Sequence, residues 1–447
     1  MSMDLIGMVL VGGRGERARP ITVKAPGYLR SKAAMSLCGK RLILWLIESM
    51  QQQGIREFFV IAHGKENRYQ TKTLVQHGEG LGVKIRYSRA RFDAMNTGSA
   101  DAALRMLDHW EIDQPVLVMP SDSLYDLSLD SLLAVHESRS ALVTIASMPA
   151  TPRQIAGKYG VMVCDDGGRV QRFVEKPSLA ELVRITGIHA PEVFRRMTLP
   201  TNAGMYLLDS AAVVKHARDD EVDAMREETL DFGRHFLPWL VSRDLPVYEY
   251  PVRRTGDIGT VVGYLDTMVG LLRGEFPTLC SMLGEPFDLA RRIWIPPETL
   301  VYRDDVSGKT LLRKLDEGLV EIGDNVRLGK YVEIAPGARI AESSVDDGVD
   351  VGENVEIRRS AVRDGAILGP GAVVRDCYIG SMVEVRSTRE TRTILERYVA
   401  VGDEVVIQPG ARIAGNVNIY PRLKIPGPAV IPPKAEIRDA DDVLLHL

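Results

Sequence analysis

Ile6-Gly7-Met8-Val9-Leu10-Val11 runs directly into Gly12-Gly13-Arg14-Gly15-Glu16-Arg17, and this junction decides how the first half of the chain is read. An unbroken apolar run that ends in glycines reads as a buried strand emptying into a turn. Glycines let several backbone N–H groups converge, while Arg14, Arg17 and Arg19 add positive charge where a triphosphate would lie. Gly13-Arg14-Gly15-Glu16-Arg17-Ala18 also satisfies the dinucleotide pattern GxGxxA. That pattern must open an apolar helix, and Arg19-Pro20 and Ala25-Pro26 break any helix here. The stretch therefore reads as a long basic loop and a nucleotide site.

Working outward to about residue 270, apolar runs such as Phe58-Phe59-Val60-Ile61, Val116-Leu117-Val118-Met119 and Leu142-Val143-Thr144-Ile145 alternate with amphipathic stretches such as residues 42–53. Alternation of this kind predicts an α/β domain with a mostly parallel sheet, whose ligands sit at the carboxyl ends of the strands. Residues 219–228, rich in Asp and Glu, read as a solvated helix face.

From about residue 316 the period changes to six. Ile322, Leu328, Ile334 and Ile340 recur at that step, as do Val401, Ile407, Ile413, Ile419 and Ile425. Between them Val345, Val351, Ile357, Val362, Leu368, Val374, Ile379 and Val385 keep the step with single five-residue slips. Such spacing winds three short strands per coil around one internal aliphatic ladder, a parallel β-helix. Residues 387–398 interrupt the pattern and are expected to loop out. The domains read as 1–270 nucleotide-binding and catalytic, 271–315 connector, with Pro296-Pro297 as a break, and 316–440 β-helix.

The chain has 447 residues, 26% charged, with a formal net charge of −4, so a nucleic-acid partner held by a basic surface is not expected. The first apolar stretch carries Asp4 and Gly7, no cationic leader precedes it, and no run approaches a membrane span. A cytoplasmic protein without membrane contact is expected. Cys38, Cys164, Cys280 and Cys377 are widely spaced and suggest neither disulfides nor zinc.

Beyond the glycine loop lies Arg30-Ser31-Lys32, then Gly39-Lys40-Arg41-Leu42-Ile43. Together these motifs resemble the sugar-phosphate nucleotidylyltransferases, or NDP-sugar pyrophosphorylases, which open with GGxGTRLxPLT, a lysine and GKPLI. Here the lysine seven residues before the second glycine is Lys32. Asp122 follows the apolar run 116–119, where the family has a strand ending in Asp. Gly256-Asp257-Ile258-Gly259-Thr260 resembles its DIGT element, Val174-Glu175-Lys176-Pro177 its EKP, Asn202-Ala203-Gly204-Met205-Tyr206 its NAGIY, and Gly98-Ser99-Ala100-Asp101-Ala102 its GTADA. The order α/β domain then β-helix also resembles the longer members.

The resemblance implies a left-handed β-helix and a reaction joining a nucleoside triphosphate to a sugar 1-phosphate, or a sugar-like cyclitol phosphate, with release of pyrophosphate. It assigns Arg17, Lys32 and Asp122 to catalysis, and Leu10, Gly12, Gly13, Arg14, Gly15 and Gly98 to the nucleotide. Tyr159, Gly160, Glu175, Lys176, Asn202 and Gly204 fall to the sugar phosphate, and Asp122 and Asp257 to Mg²⁺. The chemistry agrees, since charge on the phosphates is the main obstacle to in-line attack, and carboxylate-held Mg²⁺ with arginine and lysine answers it. Asp231-Phe232-Gly233-Arg234 resembles the adenylyl branch, whereas Val417-Asn418-Ile419-Tyr420-Pro421 resembles the guanylyl branch, so the base stays open.

Two departures stand out. Position 16 is Glu where the family has Thr or Ser, and the stretch between Arg17 and Lys32 is longer. They motivate an alternative, a catalytically weak regulatory or scaffolding subunit. Glu16 is expected to pair with Arg14, Arg17 or Arg19. Acyl transfer on the β-helix is disfavoured because residues 316–440 contain no histidine to serve as base. Flat outer faces on a β-helix predict a homo-oligomer.

Overall fold

The computed structural model describes residues 5–25, 27–304 and 307–445; Asp4 and Pro26, invoked above, lie outside them. Backbone contacts divide the chain into two compact units that do not follow chain order. One comprises Met1–Gly13 and Leu46–Thr255, the other Arg14–Trp45 and Gly256–Leu447. Among the described residues no helix is long and apolar enough to cross a membrane.

The first unit is built on a nine-stranded mixed sheet. Ile6–Val11 lies between Glu57–Ala62 and Val116–Pro120, parallel to both, and Lys84–Tyr87 continues the parallel side. On the other side Leu199–Leu208 runs antiparallel to Val116–Pro120, to Val143–Ala150 and to Val161–Cys164. Val170–Val174 pairs with Val161–Cys164, and Val247–Pro251 returns parallel to Val143–Ala150. Met8, Val9, Phe59, Val60 and Val118 are buried on alternating faces, because both faces are covered. The central strands therefore read as continuous apolar runs, and their parallel carboxyl ends open along one edge.

No α-helix follows the glycine loop, as its prolines predict; Glu16–Ala18 makes a single 3-10 turn. The amphipathic stretch 42–53 forms the helix Leu42–Gln52, and the acidic stretch forms Asp220–Glu228, in which Val222 is the buried residue.

In the second unit three sheets of parallel two- and three-residue strands wind a left-handed β-helix. The register Leu328↔Val345↔Val362↔Ile379↔Val401↔Ile419↔Ile437 stacks one aliphatic residue per coil. Every ladder residue of the six-residue pattern is buried in one cluster. The coil starts earlier than the repeat suggested, since Ile293–Trp294 already pairs with Val326–Arg327. The expected loop at 387–398 is shorter than expected. Ile394–Leu395 rejoins the coil between Val373–Arg375 and Arg412–Ile413, so the departure ends before residue 394.

Arg14–Trp45 packs on this coil within the same unit. The Tyr264 hydroxyl donates to the Ser36 carbonyl at 2.7 Å, and the Tyr264 ring meets Tyr378 edge-on at 5.3 Å. Gly39 sits against the Arg327 guanidinium, which leaves no room for a Cβ. Ser344, Ala361, Tyr378 and Ala400, successive along one sheet, are all buried.

Candidate active site

The cationic loop belongs to the second unit. Arg14, Gly15, Glu16, Arg17 and Lys32 line a cavity of about 370 Å³. Its shape depends on Gly15, which has φ 62° and lies so close to Thr22 that a Cβ would sit 2.6 Å from the Thr22 methyl. The Thr22 hydroxyl donates to the Gly15 carbonyl at 2.8 Å, which ties the two ends of the loop. Glu16 pairs with Arg19, Oε1 to Nη2 at 3.7 Å, as the local charge pattern predicts.

Asp257 ends the strand Arg254–Asp257, ahead of the helix Val261–Leu272, which Thr260 caps by accepting from Gly263 N–H at 3.0 Å. Asp257 Oδ1 accepts the Gly259 N–H at 2.7 Å. A nitrogen of Arg17 lies 3.3 Å from where a Cβ on Gly259 would be, beside the same Oδ1. The loop arginine and the second carboxylate are thus neighbours.

In the first unit the carboxyl ends of Ile6–Val11 and Val116–Pro120 are tied by Ser121 N–H donating to the Leu10 carbonyl at 3.1 Å. Gly12 and Gly13 leave one of these ends and Asp122 the other, half-buried. Gly98 opens the helix Ser99–His109 against the backbone of Leu230, where a Cβ would meet the carbonyl oxygen at 2.5 Å. Asp231 caps this helix, accepting from Ser99 N–H at 3.0 Å and from the Ser99 hydroxyl at 3.2 Å.

The residues that the resemblance assigns to the sugar phosphate lie together in the same unit. Lys176 N–H donates to the Tyr159 carbonyl at 3.2 Å, and Asn202 N–H donates to the Gly160 carbonyl at 2.9 Å. Asn202 Oδ1 accepts from Gly204 N–H at 2.8 Å, while its Nδ2 donates to the Tyr206 hydroxyl at 3.0 Å. Lys176 Nζ lies 3.6 Å from Glu175 Oε1, but Glu175 Oε2 is buried and has no hydrogen-bond partner. Burial raises the Glu175 carboxyl above its usual range, against the pull of Lys176 and Arg234. A buried carboxylate oxygen with nothing to accept from is costly unless a ligand supplies the donor.

Glycines make room for the carboxylate itself. A Cβ on Gly160 would lie 2.6 Å from Glu175 Oε2, and one on Gly233 would lie 2.7 Å from it. Gly233 belongs to the π-helical turn Phe232–Phe236, whose Phe232 ring packs 4.6 Å from Tyr206. In the sequence Asp231-Phe232-Gly233 is only a likeness to one branch; that Gly233 lies against Glu175, with the Arg234 charge near enough to pull on it, is a long-range contact that no motif marks.

Among the described residues no three His, Cys, Asp or Glu side chains group closely enough to hold a metal by themselves. Mg²⁺ needs only one or two carboxylates when phosphate oxygens and water complete its shell. Asp257, with one oxygen fixed by Gly259, and Asp122, at a strand end, are hard oxygen donors of that kind.

A family model described as nucleotidyl transferase matches residues 6–274. A glucose-1-phosphate adenylyltransferase of Alteromonas mediterranea is 24% identical, covering 94% of this chain and 97% of its own. Proteins of the same name from Nitrosospira multiformis and Trichlorobacter lovleyi are 28% and 25% identical; each alignment covers 84% of this chain, with 89% and 92% of theirs.

Proposed function

The chain belongs to the nucleotidyl transferase family, and from that premise we propose that it transfers a nucleotidyl group from a nucleoside triphosphate to a sugar 1-phosphate or sugar-like cyclitol phosphate. ATP and glucose 1-phosphate are the pair carried over from the names of its relatives. A phosphate oxygen of the sugar 1-phosphate bonds to the α-phosphorus, the bond from that phosphorus to the bridging oxygen breaks, and pyrophosphate leaves. No proton need move, since the attacking phosphate is already ionised.

The observation that carries this reading is the partnerless Glu175 Oε2 beside Lys176 in a glycine-walled recess. The carboxylate accepts sugar hydroxyls and Lys176 meets the phosphate, with Tyr159, Gly160, Asn202 and Gly204 shaping the recess. Leu10, Gly12, Gly13, Gly15 and Gly98 give the nucleotide close backbone approach, and Arg14, Arg17 and Lys32 offset triphosphate charge. Asp122 and Asp257 are assigned as Mg²⁺ ligands by their motifs. The metal would neutralise charge on the phosphates and favour departure of pyrophosphate.

Functionally, residues 1–270 would carry catalysis, 271–315 connect, and 316–440 assemble a cytoplasmic homo-oligomer. Light scattering of the full chain tests assembly, and a monomer would remove that part. The activity is tested by pyrophosphate release from purified protein over a matrix of nucleoside triphosphates and sugar 1-phosphates with Mg²⁺. Turnover with ATP and glucose 1-phosphate is expected. Turnover with another pair would reassign the substrates, and none anywhere would favour a regulatory subunit.

A further inference from the structure

Asp403 sits at a corner of the β-helix beside the strand Ala400–Val401, far along the chain from any motif of the reaction. Its Oδ1 accepts the Ser381 N–H at 3.1 Å, and its Oδ2 accepts from Arg30 Nη2. The side chains are 10% and 14% exposed, so the pair is largely shielded from water. The other guanidinium nitrogen, Arg30 Nη1, donates to the Ile21 carbonyl at 3.1 Å, and Arg30 N–H donates to the Thr22 carbonyl at 2.8 Å.

Thr22 is the residue whose hydroxyl holds the Gly15 carbonyl. A continuous run of hydrogen bonds thus leads from a β-helix corner, through Arg30 and Thr22, to the glycine that shapes the cationic loop. Neither Arg30 nor Asp403 lines the loop cavity. Within the loop Arg14, Glu16 and Arg17 are exposed, while Gly15, whose carbonyl Thr22 holds, is buried.

We propose that Arg30 and Asp403 are positioning residues through which the β-helix sets the shape of the triphosphate-binding loop. The planar guanidinium suits this task, because its nitrogens bind the carboxylate and the Ile21 carbonyl in one rigid fork. A shielded ion pair also resists opening, since removing one partner strands the other charge. The inference rests on the nucleotidyl-transfer reading for its kinetic readout and stands apart from it for its structural one.

The test uses full-length Asp403→Asn, with Asp403→Glu as the conservative variant. In Asp403→Asn the KM for the nucleoside triphosphate should rise about tenfold, while that for the sugar phosphate stays within about twofold, a split that a general loss of stability does not produce. Asp403→Glu should return the nucleotide KM toward that of the parent protein. Independently, amide exchange without ligand should quicken at Ala18, Val23 and Arg30, which bond to Gly15, Pro20 and Thr22, and stay unchanged at Ile379 in the coil. Unchanged nucleotide KM in a folded variant, or both KM values rising together with unaltered loop exchange, would overturn the proposal. If the parent protein turns over nothing, the nucleotidyl-transfer reading fails and exchange alone decides: faster at the loop supports the link, and no change ends it.

Discussion

The Glu175 carboxylate occupies the space that a side chain on Gly233 would need, with Oε2 2.7 Å from that Cβ position. The clash would be with the end of a flexible side chain, so Gly233→Ala should push Glu175 aside and leave the fold in place. We expect the KM for the sugar phosphate to rise on the order of tenfold, with the nucleotide KM little changed and melting temperature within about 2 °C. A collapse in melting temperature would assign Gly233 to the fold, and unaltered sugar-phosphate KM would remove Glu175 from the sugar site.

Burial raises the Glu175 carboxyl, which fixes the sign of two pH effects. A folded-state pKa above the unfolded one means that this group's stabilisation is full below the unfolded pKa and is lost as pH rises through the folded one. Ionised Glu175 is therefore a cost at neutral pH. Glu175→Gln should melt higher than the parent at about pH 7 and no higher at about pH 4, while losing sugar-phosphate binding. In the parent, the KM for sugar phosphate should climb as acid protonates the acceptor. A variant that melts lower at neutral pH would show that the carboxylate holds the fold instead.

Asp257→Asn separates charge from shape, because its amide oxygen still accepts the Gly259 N–H now held at 2.7 Å. If Asp257 holds Mg²⁺, turnover should fall on the order of a hundredfold or more while melting temperature hardly moves. Asp122→Asn should behave alike, and a chelator should stop the parent reversibly. Loss of stability in proportion to activity would return both residues to structure.

Much of this architecture could be read from the chain because burial imposes a period. Ile6–Val11 is apolar throughout because it is covered on both faces, and the six-residue ladder is fixed by an interior that admits one aliphatic residue from each short strand, three per coil. The rung at Ile394–Leu395 was hidden because the loop before it breaks the count, and the rung at Ile293–Trp294 because it precedes the regular repeat. What no local pattern signals is contact at long separation. Arg30 with Asp403, Gly39 with Arg327 and Glu175 with Gly233 each join segments that carry no shared motif.

That Arg14–Trp45 packs with the β-helix changes what a truncation should do. A chain ending at residue 270 loses Arg327, Tyr378 and Asp403, which meet Gly39, Tyr264 and Arg30. We expect such a fragment to aggregate, or to melt without cooperativity and without turnover, as circular dichroism and pyrophosphate release would record. A folded, active fragment would show that the loop segment keeps its shape unaided.

Glu16 is the sharpest departure from the family motif, and its partner is Arg19 at 3.7 Å, the side chains 64% and 35% exposed. A pair so open to water contributes only about 0–1 kcal/mol, which turns the carboxylate without locking it. The charge therefore remains beside the cavity that Arg14, Arg17 and Lys32 also line, and it opposes a polyanion there. Glu16→Thr should lower the KM for the nucleoside triphosphate by about twofold to fivefold, with little change in stability. The gain should shrink as salt screens the loop, so steady-state kinetics at two ionic strengths and several Mg²⁺ concentrations decide the matter. Weaker nucleotide binding in the variant would mean that Glu16 holds the loop or the metal productively, and that its pairing with Arg19 is part of the binding shape.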